Sequence, residues 1–222
     1  MARKKQKPPF NPAVMLVAVL IILVLGVFGV QVPDTIQELF GIHTQEKTEP
    51  STTKPVSSTN PGPKELGPAT FSATELADKK NGWIDYHSLD SLGRATGADA
   101  LLKPTMVNTG TSANKDIRPP GFVSGLEPTN HSRGHLIGRQ LGGSGDDARN
   151  LTTLYQTPVN TPFMTKYENQ IRQALDKGET IRYRVTPVYE GTKLLCKEIE
   201  LEAKGLNKNT TVDFRVTILN ER

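Results

Sequence analysis

The segment Ser132-Arg-Gly-His-Leu-Ile-Gly138 places an arginine and a histidine two residues apart with a glycine between them. Along a strand, Arg133 and His135 share a face, and Gly134 lets backbone and substrate approach closely. An imidazole with an ordinary pKa of about 6.5 is available as a base near neutral pH. A guanidinium beside it stabilises developing negative charge. Together they suit phosphodiester hydrolysis, which needs a base for water, an electrophile at phosphorus and charge for the leaving oxygen. Downstream lies Asn160, just ahead of a helix whose free N–H groups carry the positive partial charge that favours phosphate.

The elements that must hold these groups read as strand, loop, strand, helix. Residues 132–138 form the first strand and Gly142-Gly-Ser-Gly-Asp-Asp147 a turning loop. Asn150-Leu-Thr-Thr-Leu-Tyr-Gln156 forms the second strand. Thr161 and Pro162 suit the cap and first position of the helix, with Thr157-Pro158 as a competing start. Phe163, Tyr167, Ile171 and Ala174/Leu175 supply its apolar stripe. Partial alternation over 179–190, 193–203 and 211–220 predicts three further strands, the first two joined at Glu190-Gly191-Thr192. Residues 88–98 and 99–106 read as short helical stretches broken by glycine.

The ordered set Arg133-Gly-His135-Leu, Gly142-Gly143, Asn150-Leu, Asn160 and Tyr167-Glu168 resembles the DNA/RNA non-specific endonucleases of the ββα-metal (His-Me finger) class. Leu89-Asp-Ser-Leu-Gly-Arg94 and Ala98-Asp-Ala-Leu-Leu102 are also similar to that family's upstream region, so the likeness covers most of 80–220. It implies an α+β fold with a central antiparallel sheet carrying the ββα element. It also implies a metal-dependent endonuclease acting on DNA, with RNA as an open second substrate, and leaving a 5′-phosphate. In that scheme His135 is the general base and Asn160 the one direct protein ligand of a catalytic Mg²⁺, with Mn²⁺ as an alternative. A neutral amide oxygen suits a hard cation that keeps most of its waters. The resemblance further makes Glu168 a carboxylate orienting water around the cation, Asn150 a supporting polar position, and Arg133 a stabiliser of the scissile phosphate. The family's motif begins Asp-Arg-Gly-His; here Ser132 stands at the first position, which puts full activity in question. Beyond the motif, Arg139, Arg149, Lys166 and Arg172 are candidates for a groove tracking the phosphate backbone. His131 shares a strand face with His135 and reads as a substrate contact or a surface residue. Asp146 and Asp147 lack the alternation of acidic ligands that a calcium loop requires.

Composition bounds the rest. With 27 basic and 23 acidic residues, a net charge of +4 excludes a histone-like polycation and leaves room for a local basic groove. The single cysteine, Cys196, excludes an intrachain disulfide and a cysteine-based zinc site. Residues 1–12 carry Arg3, Lys4, Lys5 and Lys7, and 13–32 are nearly all apolar. About 20 such residues cross a bilayer as a helix. That length, and the lack of a small-x-small cleavage pattern, favour an uncleaved single-pass anchor over a signal peptide. The basic tail stays inside, which places the catalytic domain outside the cell membrane, or makes it secreted if the segment is cleaved. Residues 33–68, rich in Pro, Ser and Thr, read as a linker, and 69–222 as the endonuclease domain. Two readings from other classes, and one from within the class, stay open on sequence alone. They are a tethered nucleic-acid binder with weakened catalysis, an interaction protein that reuses the fold, and a nuclease toxin domain.

Overall fold

Alternating apolar residues near the C-terminus produce three long strands, Ile181–Val188, Glu198–Gly205 and Asp213–Leu219. In chain order the strands are β1 (Lys64–Gly67), β2 (Trp83–Tyr86), β3 (Ala98–Leu102), β4 (His131–His135), β5 (Leu151–Tyr155), β6, β7 and β8, the last three being the long ones. Among the described residues one α-helix, α1, spans Thr165–Asp176. This computed structural model describes residues 60–77, 80–125 and 127–222. The basic tail, the proposed anchor and the linker as far as residue 59 lie outside the described residues. Among the described residues no helix is long and apolar enough to cross a membrane.

Six strands form one antiparallel sheet in the order β1-β8-β7-β6-β3-β2, and β4 and β5 form a separate two-stranded ribbon. The strand period of two sorts side chains between the sheet's faces. Ile181, Tyr183 and Val185 of β6 join Ile199, Leu201 and Ala203 of β7 and Phe214, Val216 and Ile218 of β8 in the core. Tyr167, Ile171, Ala174 and Leu175 of α1 belong to the same core, as do Leu136, Ile137 and Leu154 around the ribbon. Full burial of an aliphatic side chain of this size contributes about 1.5–3 kcal/mol, so this packing fixes the helix on the sheet. The opposite face carries charge in register: Arg184 stands across from Asp99 on β3 and Glu202 on β7, and Glu202 across from Arg215 on β8. Phe71 closes over that face, 4.8 Å from the Arg182 guanidinium and 4.9 Å from that of Arg184.

Three local expectations change. Residues 98–102 are a strand, although Ala-Asp-Ala-Leu-Leu lacks alternation and consists mostly of helix formers. Pairing with β2 on one side and β6 on the other overrides that propensity. Lys64–Gly67, read as linker, is the edge strand β1 on β8. All four of its residues are exposed, so no apolar pattern marks it. The helix begins at Thr165 rather than at Thr161-Pro162. Residues 156–164 form a wound segment interrupted by extended backbone at Thr157 (φ −127°, ψ 128°) and Thr161 (φ −139°, ψ 123°). Each of those residues precedes a proline, whose ring pushes it out of the helical region.

Candidate active site

His135 ends β4, opposite Leu151 on β5. Beyond it the chain is held by Asn150. The Asn150 Oδ1 accepts from the Ile137 N–H (2.8 Å), and its Nδ2 donates to the carbonyls of Ile137 (3.1 Å) and Ser144 (2.8 Å). Its own carbonyl accepts from the Leu136 N–H at 2.8 Å. Asn150 is fully buried. Both its amide hydrogens are committed, so it fixes the path of the chain after the histidine and takes no part in the cleft. Gly134 serves packing rather than substrate approach: a Cβ there would meet Leu154 Cδ1 at 2.3 Å.

His135, Arg139, Asn160 and Glu168 line one open cleft of about 490 Å³, together with Ser112, Gly138, Gln140 and Thr165. The ribbon, the wound segment and α1 each contribute a wall. His135 Nε2 lies 3.0 Å from the Thr111 carbonyl oxygen. A carbonyl only accepts, so Nε2 carries the proton and Nδ1 keeps the lone pair that a base requires. Burial lowers the imidazole's pKa and nearby Arg139 lowers it further, against the Thr111 hydrogen bond, so the ring stays neutral below its usual range.

Asn160 precedes α1 by five residues, and its backbone carbonyl accepts from Thr165 Oγ1 at 3.0 Å. Its Nδ2 donates to Gln156 Oε1 at 3.1 Å, and the residue lines the cleft. Glu168, in the first turn of α1, lies against Gly138. A Cβ at Gly138 would come within 2.4 Å of Glu168 Oε1. Burial raises the Glu168 carboxyl to about 7, opposed by hydrogen bonds from the Gln140 side chain and the Gly138 N–H. Among the described residues Glu168 forms no ion pair. A half-buried carboxyl group without an ion-pair partner among the described residues, lining the same cleft as a carboxamide, is a set that fits a hydrated divalent cation. No three His, Cys, Asp or Glu side chains converge to hold one among the described residues. Asn160 and Glu168 are the cleft residues that could face such an ion.

Of the other candidates, only Arg139 reaches the cleft, where its NH1 donates to Ser112 Oγ at 3.1 Å. Arg133 is turned to structural use. Its Nε and NH2 donate to the carbonyls of Ile117 (2.6 Å) and Lys115 (2.7 Å), and its guanidinium lies 4.2 Å from the Phe122 ring centre. Arg149 pairs with Asp147 at 2.7 Å. Arg172 pairs with Asp176 at 2.9 Å rather than with Glu168, and Lys166 lies over the Tyr167 ring at 4.9 Å. None of these four lines the cleft. Ser132 Oγ donates to the Leu154 carbonyl at 3.3 Å, across the ribbon rather than to its neighbours. His131 packs at 5.5 Å edge-on to Tyr155. Sequence reading missed Thr111, whose contribution is a backbone carbonyl and leaves no side-chain signature. It also missed Gln156, which the i, i+4 spacing to Asn160 could have suggested.

A two-stranded ribbon leading into α1 puts an imidazole and a carboxamide on one cleft, and known nucleases share this family and fold. The family model described as DNA/RNA non-specific endonuclease matches residues 74–209, more than half the chain. The chain belongs to that family. Among solved structures, NucA from Streptococcus agalactiae with magnesium bound is 25% identical, with a TM-score of 0.59, over 72% of this chain and 82% of that one. The same protein without metal superposes at a TM-score of 0.58 with 24% identity, covering 72% and 80%. The Sda1 nuclease with bound zinc shares the fold at 16% identity and a TM-score of 0.58, over 72% and 90%.

Proposed function

We propose that this nuclease is a cation-dependent, sequence-non-specific endonuclease that hydrolyses DNA, and RNA where the strand enters the same cleft. The observation that carries the reading is the meeting of His135 and Asn160, from β4 and from the segment before α1, on one cleft. Nδ1 of the neutral His135 takes a proton from the attacking water, and the Thr111 carbonyl stabilises the imidazolium that forms. Arg139 stands close enough to lower the imidazole's pKa and is placed to offset charge on the phosphate. Glu168 orients water within the cleft. Asn160 Oδ1 would hold Mg²⁺, or Mn²⁺ in its place, and the cation would supply Lewis acidity to the hydrolysis. These groups address backbone and water rather than base edges, which supports action without regard to sequence.

The test is incubation of the purified full-length chain with supercoiled plasmid at neutral pH, with Mg²⁺ and with excess EDTA. Nicking and linearisation that EDTA abolishes support the reading; intact plasmid under both conditions refutes it. We further propose that residues 13–32 tether the enzyme to the cell membrane with the nuclease domain outside. The support is the apolar run behind a basic tail. Release of the full chain from membranes by alkaline carbonate would overturn the anchor.

A further inference from the structure

The loop that supplies the Thr111 carbonyl is laced to the Gly142–Asp147 loop by side chains that have no place in the chemistry above. Thr111 Oγ1 donates to Asp146 Oδ2 at 3.0 Å and accepts from the Gly145 N–H at 2.8 Å. The second carboxylate oxygen of Asp146 accepts from Asn114 Nδ2 at 3.1 Å. Backbone bonds run alongside, from the Thr111 N–H to the Gly143 carbonyl (3.1 Å) and from the Asn114 N–H to the Gly145 carbonyl (2.9 Å). The same Thr111 then presents its carbonyl to His135 Nε2 at 3.0 Å.

We propose that Thr111 and Asp146 form a clasp that positions the general base, holding the Thr111 carbonyl where it fixes the tautomer and aim of His135. A carboxylate behind an imidazole normally does this by accepting the ring N–H directly. Here the carboxylate acts one residue removed, through a hydroxyl and a backbone carbonyl. With the clasp intact, Nε2 is protonated and Nδ1 keeps its lone pair. With it broken, the loop shifts, the Thr111 carbonyl leaves the ring, and the proton distributes between both nitrogens. Asp146 touches neither water nor phosphate in this scheme; Asp146 and Thr111 are positioning residues. The inference rests on His135 being the base.

The experiment compares Thr111→Val, Thr111→Ser and Asp146→Asn with the wild type in the full-length chain. Thr111→Val keeps the shape and removes the hydroxyl, whereas Thr111→Ser keeps the hydroxyl. Asp146→Asn retains one acceptor of two. Thr111→Val and Asp146→Asn should lower kcat on plasmid about tenfold with KM unchanged, a fraction of what a general base contributes, and Thr111→Ser should recover most of the rate. In ¹⁵N-histidine-labelled protein, the neutral His135 ring should show one protonated nitrogen, Nε2, in the wild type and in Thr111→Ser, and averaged nitrogens in Thr111→Val. A Thr111→Val protein that keeps both the wild-type kcat and a single Nε2–H tautomer overturns the clasp, as does an equal loss of rate in Thr111→Ser. If the wild type fails to cut, the nuclease reading falls, while the ring-nitrogen pattern still decides whether the clasp sets the tautomer.

Discussion

Gly138→Ala tests how tightly the cleft depends on one carboxylate. The backbone there has φ −61° and ψ 150°, which alanine adopts without strain. The added Cβ would lie 2.4 Å from Glu168 Oε1, and 2.7 Å from both Cδ and Oε2. For Oε1 to reach ordinary contact at about 3.4 Å it must retreat by about 1 Å, and the carboxyl group must move as a whole. Because the obstructing atoms end a flexible side chain, folding should cost little, within about 1 kcal/mol. A 1 Å displacement of a group that orders water at a reacting centre costs up to about 10²-fold. Gly138→Ala should therefore unfold within a few degrees of the wild type and cut plasmid roughly 10- to 100-fold more slowly. The assay pairs a thermal melt with initial nicking rates at saturating Mg²⁺. A normally folded Gly138→Ala protein with the wild-type rate would refute the role given to Glu168.

Burial and Arg139 depress the His135 pKa, so the acid limb of the rate profile should have its midpoint below about 6.5, the value for an unperturbed imidazole. A limb above that value contradicts the burial argument. The same shift affects stability: the unfolded chain takes up this proton at higher pH than the native one, so the His135 contribution destabilises the fold progressively as pH falls below about 6.5. His135→Phe should flatten that component of a melting-temperature series. Among the described residues the fully buried Tyr183 hydroxyl has no hydrogen-bond partner, so Tyr183→Phe should raise stability by about 1 kcal/mol; a lower melting temperature counts against it. Arg149 is held by Asp147 and is absent from the cleft lining. Arg149→Gln should leave DNA affinity within about twofold, measured by fluorescence anisotropy in EDTA, and a tenfold loss would return it to the substrate path.

The part of the site contained in one stretch of chain was legible before the structure. His135, Asn160 and Glu168, which line one cleft, lie within 34 residues on consecutive elements. The contacts that come from elsewhere were not. The Thr111 carbonyl reaches His135 across 24 residues, and no side-chain pattern records a carbonyl. Arg133 sits inside the motif, yet loop carbonyls from Lys115 and Ile117 claim its guanidinium. The strands at 181–188 and 213–219 fall inside runs legible as 179–190 and 211–220, whereas the middle strand, read at 193–203, begins only at Glu198. The strand at 98–102 was not legible, since its conformation comes from two flanking partners rather than from its own residues.

In the proposed mechanism His135 and Asn160 act on one phosphate as a unit. The direct measurement is a double-mutant cycle on plasmid cleavage at neutral pH and saturating Mg²⁺, using His135→Ala, Asn160→Ala and the double variant. Groups that work together are far from additive. Each single substitution should cost at least about 10²-fold, and the double should be little worse than either alone. Losses that multiply, or a His135→Ala protein that cuts at the wild-type rate, would contradict the account.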